Sequence, residues 1–276
     1  MFRATIAGAV VTAAVATAGA AAASGGSTAA PAAPPPVAVD VTDAAIVMPA
    51  RVPGGMVAMR FRNTGTRLHE FAMGRADAGH GVADVRAAVR RIARGGPPPP
   101  WIRDVAGPGQ ITAGAQVTVT RRLRPGVYLL FDGVPDHRGV PGVARGISRV
   151  FRVAGDTGAG PPAADAVVTA GAHAFDVPPL AGGTLTLELR NGAGAPRGFR
   201  LTSIRPGRTA ADVGRWVAAL ESSGRLPAGP APLTMLGAMQ SIPAGASVYV
   251  TLRLDAGRQY GLGDDESGAL TRFTPR

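Results

Sequence analysis

The sequence contains no cysteine, no lysine and only two asparagines. Without cysteine it has no disulfide, no thiolate ligand and no thiol nucleophile, so disulfide frameworks, thiolate metal centres and cysteine-dependent enzymes are excluded. Aromatic residues make up only 5% of the chain, whereas 39 glycines and 25 prolines account for almost a quarter of it. This balance favours short strands and turns over helices, and it predicts a mostly β protein.

The net charge of +11 comes from arginine alone. A chain rich in Ala, Gly, Arg and Pro is typical of a GC-rich genome, so the charge is weak evidence for nucleic-acid binding and we expect no nucleic-acid partner. The charge is uneven, because residues 37–153 contain 17 arginines against 8 acidic residues, whereas 165–276 contain 11 against 9. This excess favours an anionic partner for the first half.

The N-terminal residues are typical of an export signal. A single early Arg3 is followed by an uncharged run of Ala, Val, Thr and Gly, too weakly hydrophobic for an anchor. We predict a signal peptide over 1–23 and a disordered Ala/Pro-rich linker over 24–36, with no stable membrane span after cleavage. The mature protein would be secreted, or periplasmic within the cell envelope.

An internal repeat organises the remainder. Asn63 returns as Asn191 and Phe71 as Phe199, at an offset of 128 residues, and after a short insertion Tyr128 returns as Tyr260. The repeat predicts a tandem duplication. Its domains are 37–154 and 165–276, joined by a linker over 155–164, and we expect each to form its own sandwich.

Each half carries one helix among its strands. Apolar residues at helical spacing share one face over 83–94 and again over 211–222, whereas the flanking segments alternate as strands do. The only two asparagines, Asn63 and Asn191, fall at the same repeat position, at a strand-to-loop corner. Asn tolerates left-handed geometry and hydrogen-bonds its own turn, so we interpret both as structural.

Two motifs resemble those of a known family. The first runs from Asn63 through His69 to Phe71, and the second reads PGVYLLFDGVPDH over 125–137. They resemble the copper-site halves of cupredoxin-like secreted bacterial proteins, in which N-x-G-x-x-x-H-x-F supplies one histidine and P-G-x-Y-x-x-x-C-x-x-P-x-H supplies a cysteine and the second histidine. The resemblance implies an all-β fold of two tandem cupredoxin-like Greek-key β-sandwiches, each with one inserted helix.

The resemblance also implies where copper ligands would lie. His69 and His137 stand at the two histidine positions, Asp132 replaces the cysteine, and Ile147 replaces the axial methionine. Another ungapped alignment puts the second histidine at Gly142. His69, Asp132 and His137 are therefore the candidate metal ligands, and such a set suits Zn²⁺ or type-2-like Cu²⁺ rather than blue copper.

The second half lacks the same ligands, because Arg197 stands at the position of His69. No nucleophile elbow, zinc-protease helix or phosphate-binding loop occurs anywhere in the chain. The leading hypothesis is thus a non-enzymatic, exported binding or structural protein of the cell envelope, without a cofactor and with an unidentified partner. The alternative is a copper-binding or electron-transfer protein that uses a residual site in the first half.

Overall fold

The computed structural model describes residues 36–264, 267 and 269–276. The predicted signal peptide, and all of the predicted linker except its last residue, lie outside the described residues. The described residues belong to one compact unit. Neither helix of the described part combines the length and apolarity needed to cross a membrane.

The first half contains ten strands, one α-helix and one short 3-10 helix. In chain order these are β1 (Val37–Val41), β2 (Ile46–Val47), β3 (Arg51–Pro53), β4 (Gly55–Asn63), β5 (His69–Ala76), α1 (Val82–Ala93), β6 (Ile102–Asp104), β7 (Gly109–Ile111), β8 (Gln116–Leu123), β9 (Gly126–Phe131), the 3-10 helix (Gly142–Arg145) and β10 (Ser148–Ala154).

The second half has a similar order with fewer strands. Its elements are β11 (Ala166–Ala170), β12 (Phe175–Asp176), β13 (Gly183–Asn191), β14 (Arg197–Ile204), α2 (Ala210–Ser223), β15 (Leu233–Ile242), β16 (Ser247–Leu254), β17 (Tyr260–Gly263) and β18 (Leu270–Phe273). Residues 155–164 join the halves without helix or strand. Both helices lie where the 3.6-residue periodicity predicts them, within one residue at each end.

The strands form two sheets that enclose an apolar core. One sheet has eight strands in the order β12-β11-β13-β16-β8-β4-β1-β2, and the other has ten, with β18-β17-β14-β15-β7-β5-β9-β10-β3 in line and β6 beside β5. Alternate side chains of these strands point inward, as in Phe61, Phe71, Phe151 and Phe199, and belong to one cluster of buried residues. The predicted all-β sandwich architecture is confirmed.

The expectation that each half forms its own sandwich needs one correction, because the sheets of the two halves are joined edge to edge. In the eight-stranded sheet β16 pairs antiparallel with β8, and in the ten-stranded sheet β15 pairs with β7. Both sheets therefore run from one half into the other. The physical reason is that an open strand edge leaves unpaired N–H and C=O groups, and here the edges of the two halves satisfy each other.

The junction between β8 and β16 has a symmetric register. Val119 lies opposite Val250, its own counterpart in the sequence repeat at an offset of 131 residues. On either side, Thr118 faces Thr251 and Thr120 faces Tyr249. Each half thus offers the same strand segment to the other, as the two subunits of a twofold-symmetric dimer do.

Candidate metal site

A buried asparagine sets the corner from which the candidate site begins. Asn63 ends β4, is fully buried, and accepts a hydrogen bond from Gly65 N–H at its Oδ1 (2.9 Å). Its Nδ2 donates to the backbone oxygens of Arg67 and Ile111, each at 2.7 Å. These three bonds hold the loop between β4 and β5 and deliver His69 as the first residue of β5. The structural interpretation of this asparagine agrees with its contacts.

His69 lies fully buried between two carboxylates. Its Nδ1 is 2.8 Å from Asp132 Oδ2, and its Nε2 is 3.0 Å from Asp43 Oδ1. Carboxylate oxygens only accept hydrogen bonds, so each contact requires a proton on the nitrogen that it faces. The imidazolium form satisfies both contacts and places one positive charge between two negative charges.

Asp132, at the cysteine position of the motif, has hydrogen-bond donors at both of its carboxylate oxygens. Its Oδ1 accepts from the backbone N–H groups of Glu70 and Val134, each at 3.0 Å. Its Oδ2 accepts from His69 and lies 3.6 Å from the guanidinium of Arg145, at the end of the 3-10 helix. The side chain of Asp132 is 0% exposed, so these partners replace water as the groups that stabilise its charge.

Asp43, in the loop after β1, contacts the second nitrogen of the imidazole. It accepts hydrogen bonds from the backbone N–H of Thr66 (3.1 Å) and the hydroxyl of Thr66 (2.7 Å), and Arg67 lies 3.6 Å away. Burial alone would raise the pKa of Asp43, but the hydrogen bonds from Thr66 and His69 and the charge of Arg67 outweigh it. The result is a pKa well below the ordinary value.

His137 does not share this arrangement. It is exposed in the loop after β9, and no hydrogen bond joins its ring to the described residues. Position 142 instead faces the candidate site, because a Cβ built on Gly142 would collide with the Asp132 carboxylate. The alignment that puts the second histidine position at Gly142 therefore fits the geometry, and the structure brings together His69 and Asp132 without His137.

Ile147 stands at the position of the axial methionine in the motif. Ile147 is fully buried, its N–H donates to Gly142 O (2.9 Å), and its own oxygen accepts from Asp132 N–H (3.0 Å). Its backbone is thus hydrogen-bonded to Asp132, and its side chain is apolar where the motif has a thioether.

The second half repeats the carboxylate with a different cation. Asp264, the counterpart of Asp132 by the repeat, is 3% exposed and accepts from Gly198 N–H at 3.0 Å, as Asp132 accepts from Glu70 N–H. Arg197 stands at the position of His69, and its Nη1 is 3.4 Å from Asp264 Oδ2. A buried aspartate paired with a cation therefore occurs at the same place in both halves.

Sequence reasoning missed two participants, Asp43 and Arg145. Asp43 is 26 residues from His69 in the chain, and no spacing rule connects them. Arg145 follows the motif by eight residues, and only the 3-10 helix turns its side chain back towards Asp132. The sequence signals of a changed site were Asp132 at the cysteine position and Ile147 at the methionine position, and neither points to Asp43 or Arg145.

The donor set does not fit a copper ion. A metal ligand needs a free nitrogen lone pair, whereas both nitrogens of His69 face carboxylate oxygens. Across the described ranges, no group of three or more His, Asp or Glu side chains is arranged to hold a metal ion together. The arrangement can hold charge and fix the loops around it, and no reaction step follows from it.

Comparison with known proteins gives structural likenesses alone. No protein-family model and no curated protein sequence matches the chain. Similar solved structures include the dithionite-reduced auracyanin of Roseiflexus castenholzii, with 18% identity over 43% of this chain and 96% of that one and a TM-score of 0.29.

Other similar structures align with both halves of this chain. A multicopper oxidase shares 16% identity over 87% of this chain and 88% of its own, with a TM-score of 0.24. The copper nitrite reductase of Nitrosomonas europaea shares 14% identity over 88% of this chain and 94% of its own, with a TM-score of 0.26. At such low scores and identities, these likenesses do not decide what this chain binds or does.

Proposed function

We propose that this chain is an exported, non-enzymatic, cupredoxin-like protein of the cell envelope that acts as a binding or structural module. In it, a buried ion pair occupies the place of the blue-copper ligands. The observation that carries the proposal is His69, whose two ring nitrogens lie 2.8 and 3.0 Å from carboxylate oxygens. An imidazole held in this way stabilises the fold and offers no lone pair to a metal.

The second half supports the same interpretation. Arg197 cannot ligate copper, yet it pairs with Asp264 as His69 pairs with Asp132. We infer that the halves arose by duplication and that both replaced a metal position with a carboxylate–cation pair. Two further correspondences support the duplication: the matched hydrogen bonds of Asn63 and Asn191, and the symmetric pairing of Val119 with Val250.

Export is the part of the proposal that rests on sequence alone. It is supported by the uncharged small-residue run that follows Arg3 and by the Pro/Ala-rich segment after it. N-terminal sequencing of protein recovered from the envelope or medium tests it. A start between about residues 20 and 33 is expected, and an intact Met1 would contradict export.

A Cu²⁺ titration followed by calorimetry and visible absorption tests the replacement of copper. Intense blue colour requires a thiolate, which the chain lacks, so we expect no strong visible band and no binding that depends on His69. The decisive variant is His69→Arg, because it copies the pair of the second half, keeps the positive charge and removes the imidazole.

We expect the same Cu²⁺ binding isotherm for the native protein, for His69→Arg and for the control His137→Ala. Stoichiometric Cu²⁺ binding that disappears in His69→Arg, with or without a loss in His137→Ala, would overturn the proposal and support the residual-site alternative. Loss in His137→Ala alone would indicate an exposed surface ligand unrelated to the cupredoxin motif, and it would leave the buried ion pair as proposed.

A further inference from the structure

A cleft of about 570 Å³ opens between the β4–β5 loop of the first half and helix α2 of the second. Its walls come from Thr66–Leu68 on one side, and from Trp216 and the segment 226–231 on the other. This volume lies within the range of small-molecule sites, roughly 300–1,000 Å³. His69, Asp43 and Asp132 do not line the cleft, although Thr66 and Arg67, which contact Asp43, do.

Three cationic or basic side chains converge on this cleft. Arg67, His137 and Arg205 all line it, and none of the described residues that line it is acidic. Arg67 shares its charge with Asp43 at 3.6 Å. Arg205 is partly buried, and its guanidinium has neither a hydrogen bond nor an ion pair with any residue that the structure describes. An uncompensated guanidinium in a concave site attracts an anion.

Trp216 gives the cleft an aromatic wall. The residue is 8% exposed and lines the cleft. Its indole nitrogen is buried away from solvent, so a ligand in the cleft would contact the ring and not the N–H.

The remaining wall of the cleft is apolar and stiff. Leu68 and Leu226 pack in one apolar cluster with Trp216, and Pro227 and Pro230 restrict the backbone of the adjoining segment. A wall of this kind offers contact to an aliphatic or aromatic body and loses little entropy when a ligand binds.

We infer that this cleft binds a small organic anion, with its carboxylate at Arg67 and Arg205 and its apolar body against Leu68, Trp216 and Leu226. The inference rests on the proposed function in one respect, since it gives the binding module a class of ligand. The copper titration is decided by His69, which does not line the cleft, so the two can fail separately. The excess of arginine in the first half agrees with an anionic ligand.

Calorimetry with 4-phenylbutanoate tests the inference, with 4-phenylbutanamide as an uncharged probe of nearly the same shape. We expect the acid to bind at least about tenfold more tightly than the amide, because a hydrogen-bonded ion pair in a partly buried site is worth about 1.5–3 kcal/mol. Inorganic phosphate serves as a third probe, and its binding should be weaker because it lacks an apolar body.

Three variants locate the binding. Arg205→Gln should weaken binding of 4-phenylbutanoate about tenfold. Trp216→Phe, which replaces the indole by a smaller aromatic ring and so removes part of the apolar wall, should weaken it by a smaller factor. Arg208→Gln is the matched control, because Arg208 is exposed and lies outside the cleft. Its affinity should equal that of the native protein.

Several outcomes would overturn the inference: equal affinity for acid and amide, no heat from either up to about 10 mM, or equal losses in Arg205→Gln and Arg208→Gln. Phosphate binding as tightly as the acid would also overturn it, since that result would mean a simple anion site. Loss in Trp216→Phe with no loss in Arg205→Gln would assign the effect to packing, and it too would count against the inference.

Discussion

At the scale of single residues, the contacts of His69 differ from those that the motif implies. The motif would give it a metal to bind, whereas the structure gives it two carboxylates, with Asp132 on one nitrogen and Asp43 on the other. Because His69 and Asp132 are fully buried and Asp43 is only partly exposed, each charge depends on its neighbours. Removing one of them therefore affects more than a single hydrogen bond.

Substitutions at His69 should separate charge from imidazole chemistry. His69→Ala leaves the buried Asp132 carboxylate without its main partner, so we expect a loss of about 3–5 kcal/mol in the free energy of unfolding. His69→Arg restores a positive charge in the form used by Arg197, and it should cost clearly less. Urea unfolding at neutral pH measures both, and an equal loss in the two variants would contradict a structural ion pair.

The carboxylate of Asp43 should make stability depend on pH in the acid range. Its pKa is lowered in the folded state from an ordinary value of 3.8, so its contribution is fully present above that value and is lost as the pH falls below it. Asp43→Asn lacks this contribution. The stability difference between native protein and variant should therefore be largest near neutral pH and shrink below about pH 4. Urea unfolding at several pH values tests this, and a difference independent of pH would refute it.

At the scale of elements, strand corners and helices repeat between the halves with local changes. Asn191 donates to Ala195 O and Ile242 O as Asn63 donates to Arg67 O and Ile111 O. The helices are capped differently. Thr209 caps α2 through a reciprocal pair of bonds with Asp212, whereas Gly81 before α1 provides only its backbone N–H to Asp84.

The corner asparagines should be the most sensitive polar positions of their loops. Asn63→Ala removes two donors from buried carbonyl oxygens and an acceptor from Gly65 N–H, so we expect a loss of about 2–3 kcal/mol. Asn191→Ala should cost a similar amount, because its bonds are the same. Gln116→Ala, at an exposed position of β8, is the control and should change stability by less than about 0.5 kcal/mol. Thermal or urea unfolding measures these losses. A loss for Asn63→Ala or Asn191→Ala as small as that for Gln116→Ala would refute the structural role of the asparagines.

At the scale of the whole molecule, the halves are joined by backbone pairing rather than by the linker. Residues 118–120 pair with 249–251, Ile111 faces Leu236, and the Gln240 side chain bonds both Gly107 N–H and the Glu70 carboxylate. Core residues of both halves also belong to one apolar cluster. Unfolding one half would therefore expose strand edges and apolar surface of the other.

This continuity predicts that the two halves unfold together. The two tryptophans report on different halves, Trp101 on the first and Trp216 on the second. Trp216→Phe leaves Trp101 as the reporter, and Trp101→Phe leaves Trp216. Fluorescence-detected guanidinium unfolding of the two variants should agree with circular dichroism of the same sample and give matching midpoints once each variant's own stability is allowed for. Fluorescence and circular dichroism transitions that separate within either variant would show that the halves unfold independently.

The sequence by itself determined the features that rest on local pattern. Period-2 alternation and glycine–proline turns predicted an all-β sandwich, the 3.6-residue period located α1 and α2, and the paired Asn63 and Asn191 marked the strand corners. Each of these depends on neighbours close in the chain, so each is written in composition and spacing.

Only the tertiary structure decided the features that depend on distant segments meeting. It placed Asp43 against His69 and Arg145 against Asp132, put Gly142 rather than His137 at the candidate site, and joined the sheets of the two halves through β8 and β16. No local pattern encodes these contacts, because each joins groups whose chemistry is common and whose proximity arises only when the chain folds. The contacts that balance the charges of Asp43, His69 and Asp132 therefore arise from the fold. The absence of cysteine, by contrast, can be read from the sequence alone.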